Sequence, residues 1–191
     1  MIVYTIGHST RTVEELAGLL KAVGVDRLLD IRTVPRSRAN PQFNKDTLPA
    51  ALAAAGIGYS HCRALGGLRG PRKADGSPSP NTLWRTAGFR NYADYAMTGE
   101  FRAALDGLIA LAGRSVPAIM CAEAVWWRCH RRLVADNLLV RGIDVRHIMG
   151  PGKVEPARLT PGAVIGGDLT LTYPEADAPA PGPLFDYGND R

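Results

Sequence analysis

The stretch IVYTIGHSTRTVEELAGLLKAVG, residues 2 to 24, decides the fold. Ile2 to Ile6 is a short apolar, β-branched run that reads as a buried strand ending at Gly7-His8-Ser9. Thr12 and Glu15 have the spacing of a capping box, in which hydroxyl and carboxylate each accept an otherwise orphaned N–H of the first helical turn. Val13, Leu16, Ala17, Leu20 and Val23 then keep helical spacing until Gly24 stops the helix. This is a β–α unit, and the alternation continues. Val25 to Ile31 reads as a second strand, followed by a polar loop over 32–45. A short helix starts near Thr47, with Pro49 tolerated in its first turn and Gly56 as its stop, and Ile57 to His61 is a third strand. Phe89 to Gly113 gives one or two helices, Val116 to Met120 a fourth strand, Arg128 to Arg141 a helix stopped by Gly142, and Ile143 to Met149 a fifth strand. Alternation of this kind predicts a three-layer α/β fold: a mainly parallel sheet of about five strands with helices on both faces.

Residues 1–150 are expected to form this domain and to carry the site, with 151–191 as a partly flexible C-terminal extension. Within the extension, ARLTPGAVIGGDLTLTYP predicts a short strand or hairpin, and PEADAPAPGP a flexible arm. LGGLRGPRKADGSPSP, residues 65–80, has no apolar period and reads as a long loop. The apolar share of 46% and charged share of 21% are those of a globular protein. No apolar run approaches the ~20 residues that span a bilayer, so no membrane association is expected. The first residues lack a basic leader, and three cysteines do not suggest a disulfide framework, so the cytoplasm is the expected setting. The net charge of +5 is unevenly spread: residues 27–90 hold eleven Lys or Arg against three acids. A positive field of that kind attracts phosphates, and a nucleotide or nucleic acid is the expected partner.

In an open parallel sheet, ligands sit outside the carboxyl ends of the strands. Those ends carry His8 and Ser9 after the first strand, and Asp30 and Arg32 with Arg36, Ser37 and Arg38 after the second. His61, Cys62 and Arg63 follow the third, Cys121 and Glu123 the fourth, and His147 lies at the fifth. The fourth strand runs into MCAEAVWWRCHRR, residues 120–132. Arg128, Arg131 and Arg132 there sit where a helix dipole disfavours cations, so a bound phosphate is expected to compensate them beside Glu123. Trp126 and Trp127 are candidates to stack on a base.

A thiolate nucleophile at Cys121 is disfavoured, since six residues separate it from Arg128 where a phosphatase loop has five, and Glu123 is two residues away. Cys121 and Cys129 read as small residues packing the turn. No metal or cofactor is expected, because paired cysteines two residues apart are absent. If a metal is present, Cys121, Cys129 and His130 are its candidate ligands. The remaining chemistry is carboxylate and imidazole. Glu123 and Asp30, with His8 and His130, suit activation of water and protonation of a leaving group.

The motifs TIGHS (5–9), DIRTVPRSR (30–38), YSHCRALGG (59–67), FRNYADYAM (89–97), MCAE (120–123), CHRRLVADNL (129–138) and VRHI (145–148) together resemble the family catalogued as domain of unknown function 488. The resemblance covers roughly residues 2 to 150 and implies a site at the same strand-end cluster. The leading expectation is a hydrolase acting on a nucleotide or nucleic acid, in its most concrete form cleaving an N-glycosidic bond, as in base removal from DNA during repair. Glu123 and Asp30 would handle water or the developing cation, His8 or His130 the leaving base, and Ser9, Arg32, Arg36, Ser37, Arg38 and Arg131 the phosphates. The alternatives are a phosphoester hydrolase, a non-catalytic phosphate-ligand or nucleic-acid binding module, and a metal- or thiol-dependent enzyme.

Overall fold

Strand β1 (Ile2–Gly7) is buried on both faces, with Val3 turned to one side and Tyr4 and Ile6 to the other. A strand covered on both sides must lie inside a layered structure. The computed structural model, which describes residues 1–71 and 78–175, provides the layers. After β1 come α1 (Val13–Ala22), β2 (Arg27–Asp30), α2 (Leu48–Ala54), β3 (Gly58–His61), α3 (Ala87–Ala96), α4 (Gly99–Ala112), β4 (Pro117–Cys121), α5 (Arg131–Leu139) and β5 (Asp144–Gly150). The chain then adds β6 (Lys153–Pro156) and a small hairpin of β7 (Val164–Ile165) and β8 (Leu171–Thr172).

The main sheet has the order β3-β2-β4-β1-β5-β6, with β1 to β5 parallel and β6 antiparallel to β5. The fold is α/β, as the alternation predicts, with helices on both faces. Leu16 and Leu20 of α1 and Leu48 and Leu52 of α2 pack against Tyr4, Ile6, Leu28 and Met120. On the opposite face, Tyr92, Phe101, Leu105, Leu133 and Leu138 cover Val3, Leu29, Ile119 and Val145. Such apolar burial contributes roughly 1.5–3 kcal/mol per large side chain.

Local signals act where the sequence puts them. The Thr12 hydroxyl accepts from the Glu15 N–H at 3.1 Å, and the Glu15 carboxylate accepts from the Thr12 N–H at 2.7 Å. Gly24, Gly56 and Gly142 follow their helices at φ +75°, +77° and +74°, a left-handed conformation that side chains resist. One boundary moves. The helix expected from Arg128 begins at Arg131, because Trp126–Arg128 forms a 3-10 turn and Cys129 is extended (φ −132°, ψ 148°).

The segment after residue 150 continues the domain as far as it is described. β6 lengthens the sheet, Tyr173 is fully buried, and its hydroxyl donates to Asp136 at 2.9 Å. The Thr160 N–H donates to the other Asp136 oxygen at 3.0 Å. The expected hairpin is β7–β8. The proposed arm after Glu175, and part of the 65–80 loop, lie outside the described residues. Among the described residues, no helix is long and apolar enough to cross a membrane.

Candidate functional site

Because β4 lies between β1 and β2, the turns that follow these three strands open side by side. The His8 N–H donates to the Cys121 carbonyl at 2.9 Å and the Ser9 N–H to that of Ala122 at 3.0 Å, so the first and fourth strand ends are bonded past the sheet edge. A glycine makes this approach feasible: a Cβ on Gly7 would lie 1.8 Å from the Glu123 carbonyl oxygen. Ser9 itself adopts φ +51°, a conformation that non-glycine residues occupy at some energetic cost.

Above these turns is a cavity of about 430 Å³. Its polar lining includes His8, Arg32, Thr33, Arg36, Ser37, Glu123, Arg128 and His130, and its apolar lining Val34, Leu68, Phe89 and Tyr92, with Cys121 and Cys129 also among the lining residues. The size is that of a small-molecule site. Thus six candidate residues from four separate stretches share one space. Arg128, expected beside a phosphate, joins them, and so do Phe89 and Tyr92, which the sequence does not single out as ligand contacts. The signal of these two lay only in FRNYADYAM, where helical position and core packing are the simpler readings.

Other candidates stand elsewhere. Asp30 is completely buried, and its carboxylate accepts from the Arg32 Nε and Nη2, the Arg32 N–H and the Tyr59 hydroxyl, at 2.6–3.1 Å. With four donors already on it, Asp30 does not reach the cavity; it fixes Arg32. Arg32 in turn donates through Nη2 to the Phe43 carbonyl at 2.6 Å, and its Nη1 lies 3.3 Å from His8 Nε2. Arg36 pairs with Asp46 at 2.7 Å on the surface, an exposed pair of small energetic weight. Arg38 is exposed and Ser9 is spent on the turn, and neither lines the cavity.

The expected phosphate at Arg131 is replaced by protein groups. Arg131 is 1% exposed and points back under the turn. It donates through Nε to Cys121 Sγ at 3.1 Å, through Nη2 to the Glu123 carbonyl at 2.6 Å, and through Nη1 to Thr5 Oγ1 at 3.4 Å. Arg132 donates to Thr160 Oγ1 at 2.9 Å and lies over the Trp84 ring. Trp126 stacks on His147, with centroids 4.4 Å apart and planes 10° from parallel, and Trp127 packs edge-on against Trp126. Neither indole faces the cavity. His147 pairs across to Thr5, inside the sheet rather than at its rim, with Nδ1 2.8 Å from Thr5 Oγ1.

Two histidines are held neutral. Burial pushes His8 down to about 4 from 6.5, with the Arg32 charge adding to the effect against a hydrogen bond to the Ser9 carbonyl. Burial, then the Arg131 charge, also lowers His147 to about 4. The unfolded chain takes up protons near pH 6.5 that the fold refuses until about pH 4. Stability from these groups is therefore complete above pH 6.5 and lost as pH falls through that window, by up to about 1.4 kcal/mol per pH unit per group. Urea midpoints measured from pH 7.5 to 5 should fall on acidification, and His147→Phe should flatten the slope. An equal slope in the variant would reject the assignment.

The sulfurs form a cluster of their own. Cys121 Sγ and Cys129 Sγ are 2.7 Å apart, and His130 Nδ1 is 3.5 Å from Cys129 Sγ while His130 Nε2 lies 3.2 Å from the Ile31 carbonyl. The His130 ring depends on Gly67, since a Cβ there would meet Nδ1 at 2.4 Å. Cys121, Cys129 and His130 are thus neighbours. Even so, among the described residues no group of three or more His, Cys, Asp or Glu is arranged to hold a metal ion. Burial, then the Cys129 sulfur, pushes the Cys121 thiol well up. Burial alone would raise Cys129 too, but the Cys121 S–H, His130 and Arg131 outweigh it and hold Cys129 well below the ordinary range. Both cysteines are also buried in the core beneath the turn, as the packing reading expects.

No curated protein and no solved structure matches the chain. A family model described as domain of unknown function DUF488 matches residues 12–138, most of the chain and all of the cavity lining except His8. The chain therefore belongs to the DUF488 family.

Proposed function

We propose that the protein is a hydrolase acting on a nucleotide or nucleic acid in the cytoplasm, cleaving an N-glycosidic bond. The observation that carries the reading is the shared cavity: the carboxylate-bearing, exposed Glu123 faces the same space as Arg32, Arg36 and Arg128 and the aromatic wall of Phe89 and Tyr92. The guanidinium groups suit phosphate, and the apolar wall suits a base. Glu123 is then the group that activates water or stabilises the developing sugar cation, and His130, which lines the same cavity, the proton donor for the leaving base. Asp30 and His8 act through Arg32 as positioning residues, because Asp30 is saturated by its donors and His8 is neutral.

The test is base release from a panel of nucleosides, nucleotides and oligonucleotides carrying damaged bases. Glu123→Gln should lower turnover by about 10²–10⁴-fold while leaving binding in place. Absence of release by the wild-type chain, or release unaffected by Glu123→Gln, overturns the reading. One observation favours a second reading, a non-catalytic phosphate-ligand module: with Asp30 tied to Arg32, Glu123 is the one carboxylate lining the cavity among the described residues. Binding that falls steeply with salt and survives Glu123→Gln, without turnover, would select it.

A further inference from the structure

Arg131 raises a question of charge balance. Its guanidinium is buried, and a buried cation without an anion is strongly unfavourable. No ion pair among the described residues includes it. The groups that accept its side-chain hydrogen bonds are the Thr5 hydroxyl, the Glu123 and Ala124 carbonyls and Cys121 Sγ. Of these, only sulfur can carry negative charge. Cys121 Sγ is 2.7 Å from Cys129 Sγ and either can donate to the other, so one negative charge on the pair would answer the cation and would rest on the sulfur with more donors. Cys121 takes the Arg131 Nε–H at 3.1 Å. Cys129 takes the Cys121 S–H, the Arg131 backbone N–H at 3.5 Å at the start of α5, and His130 Nδ1 at 3.5 Å when that ring, whose Nε2 already donates to the Ile31 carbonyl, is protonated. The larger set of donors is on Cys129.

We propose that Cys121 and Cys129 are a thiol–disulfide exchange site, with Cys129 as the attacking sulfur, Cys121 as the resolving one, and small organic disulfides bearing carboxylates as the co-reactant. Both cysteines are buried, at 2% and 3% exposed, yet both line the cavity, so a ligand seated there lies against the pair. Arg36 and Arg128 at the same cavity favour a co-reactant with carboxylates. The reaction balances in two steps. The Cys129 thiolate attacks one sulfur of the small disulfide, forming a mixed disulfide and releasing one thiolate, which takes up a proton. Cys121 then loses its proton to solvent and attacks Cys129 Sγ. The mixed disulfide breaks, the second small thiol leaves, and Cys121 and Cys129 are joined. Two electrons pass from the protein sulfurs to the small disulfide. Joining them removes the anion beside Arg131, so the reduced form is the favoured one and the disulfide is readily reduced. The inference does not rest on hydrolysis at Glu123, and the two fail separately.

The experiment uses the full chain carrying Cys62→Ser, which removes the third thiol. It is treated natively with oxidised glutathione, quenched, denatured, alkylated and mapped by mass spectrometry. Loss of both alkylatable thiols, a linked Cys121–Cys129 peptide and reversal by excess reduced glutathione are expected. Cys121→Ser should trap glutathione on Cys129, and Cys129→Ser should trap it on Cys121 at least about tenfold more slowly. Two thiols that stay alkylatable in the folded Cys62→Ser chain, or equal trapping rates, would overturn the exchange site whatever base-release assays give. A linked form that resists reduced glutathione would overturn the role of Arg131. The Cys62→Ser arm decides the matter even if the other variants do not fold.

Discussion

Gly7→Ala should remove most of the stability of this domain, a loss of more than about 4 kcal/mol. The added methyl would sit 1.8 Å from the Glu123 carbonyl oxygen and 3.0 Å from Arg131 Nη2. The first of these is backbone, so no rotamer change relieves it. Nor can the strand ends part cheaply, because His8 and Ser9 bond to the Cys121 and Ala122 carbonyls at that place. Gly18→Ala is the control: it lies within α1 with nothing inside 4 Å of the new methyl, and should stabilise by roughly 0.5–1 kcal/mol. Urea unfolding of both variants checks the pair of signs. A Gly7→Ala chain as stable as wild type would mean that the two turns do not approach as described.

Asp30→Ala should cost about 3–5 kcal/mol, because it strands the Arg32 guanidinium in a site with 7% of its side chain exposed. The stranded charge, rather than the lost contacts, is the main cause, and a double-mutant comparison separates the two. Asp30→Ala with Arg32→Met should recover a large part of the loss, since it removes the cation along with its partner. Additive losses in the double variant would reject this account. The same single variant should also loosen ligand binding, because His8, the Phe43 carbonyl and Asp30 together hold Arg32 at the cavity.

The layer plan was legible because it depends on period and punctuation: apolar strands, the Thr12–Glu15 box, and glycine stops at 24, 56 and 142. The rim was legible to the extent that parallel strands must end together, and this is how His8, Arg32, Glu123 and His130, distant in sequence, could be grouped. Side-chain direction was not legible. Arg131 reads as a phosphate ligand at a helix start, yet it turns inward because one sulfur, a hydroxyl and two carbonyls accept its donors there. Asp30 reads either as a catalytic acid or as the partner of Arg32; the pair with Arg32 forms, and Tyr59, on the neighbouring strand, supplies a further donor. Trp126 reads as a stacking platform until β5 brings His147 beneath it. Thr5, Tyr59 and His147 each lie far along the chain from the residue they meet, and local pattern does not encode such meetings. β6 escaped for another reason: Lys153–Pro156 is short, edge-positioned and mixed in polarity.

The strand order has a consequence for how the molecule comes into being. Strand β1 has both its hydrogen-bonded neighbours far downstream, at Pro117–Cys121 and Asp144–Gly150. During synthesis the first strand must wait, unpaired on both sides, until most of the polypeptide has left the ribosome. Loop closures of that length are slow, so the cavity is among the last features to form and offers no foothold to a ligand on a nascent chain.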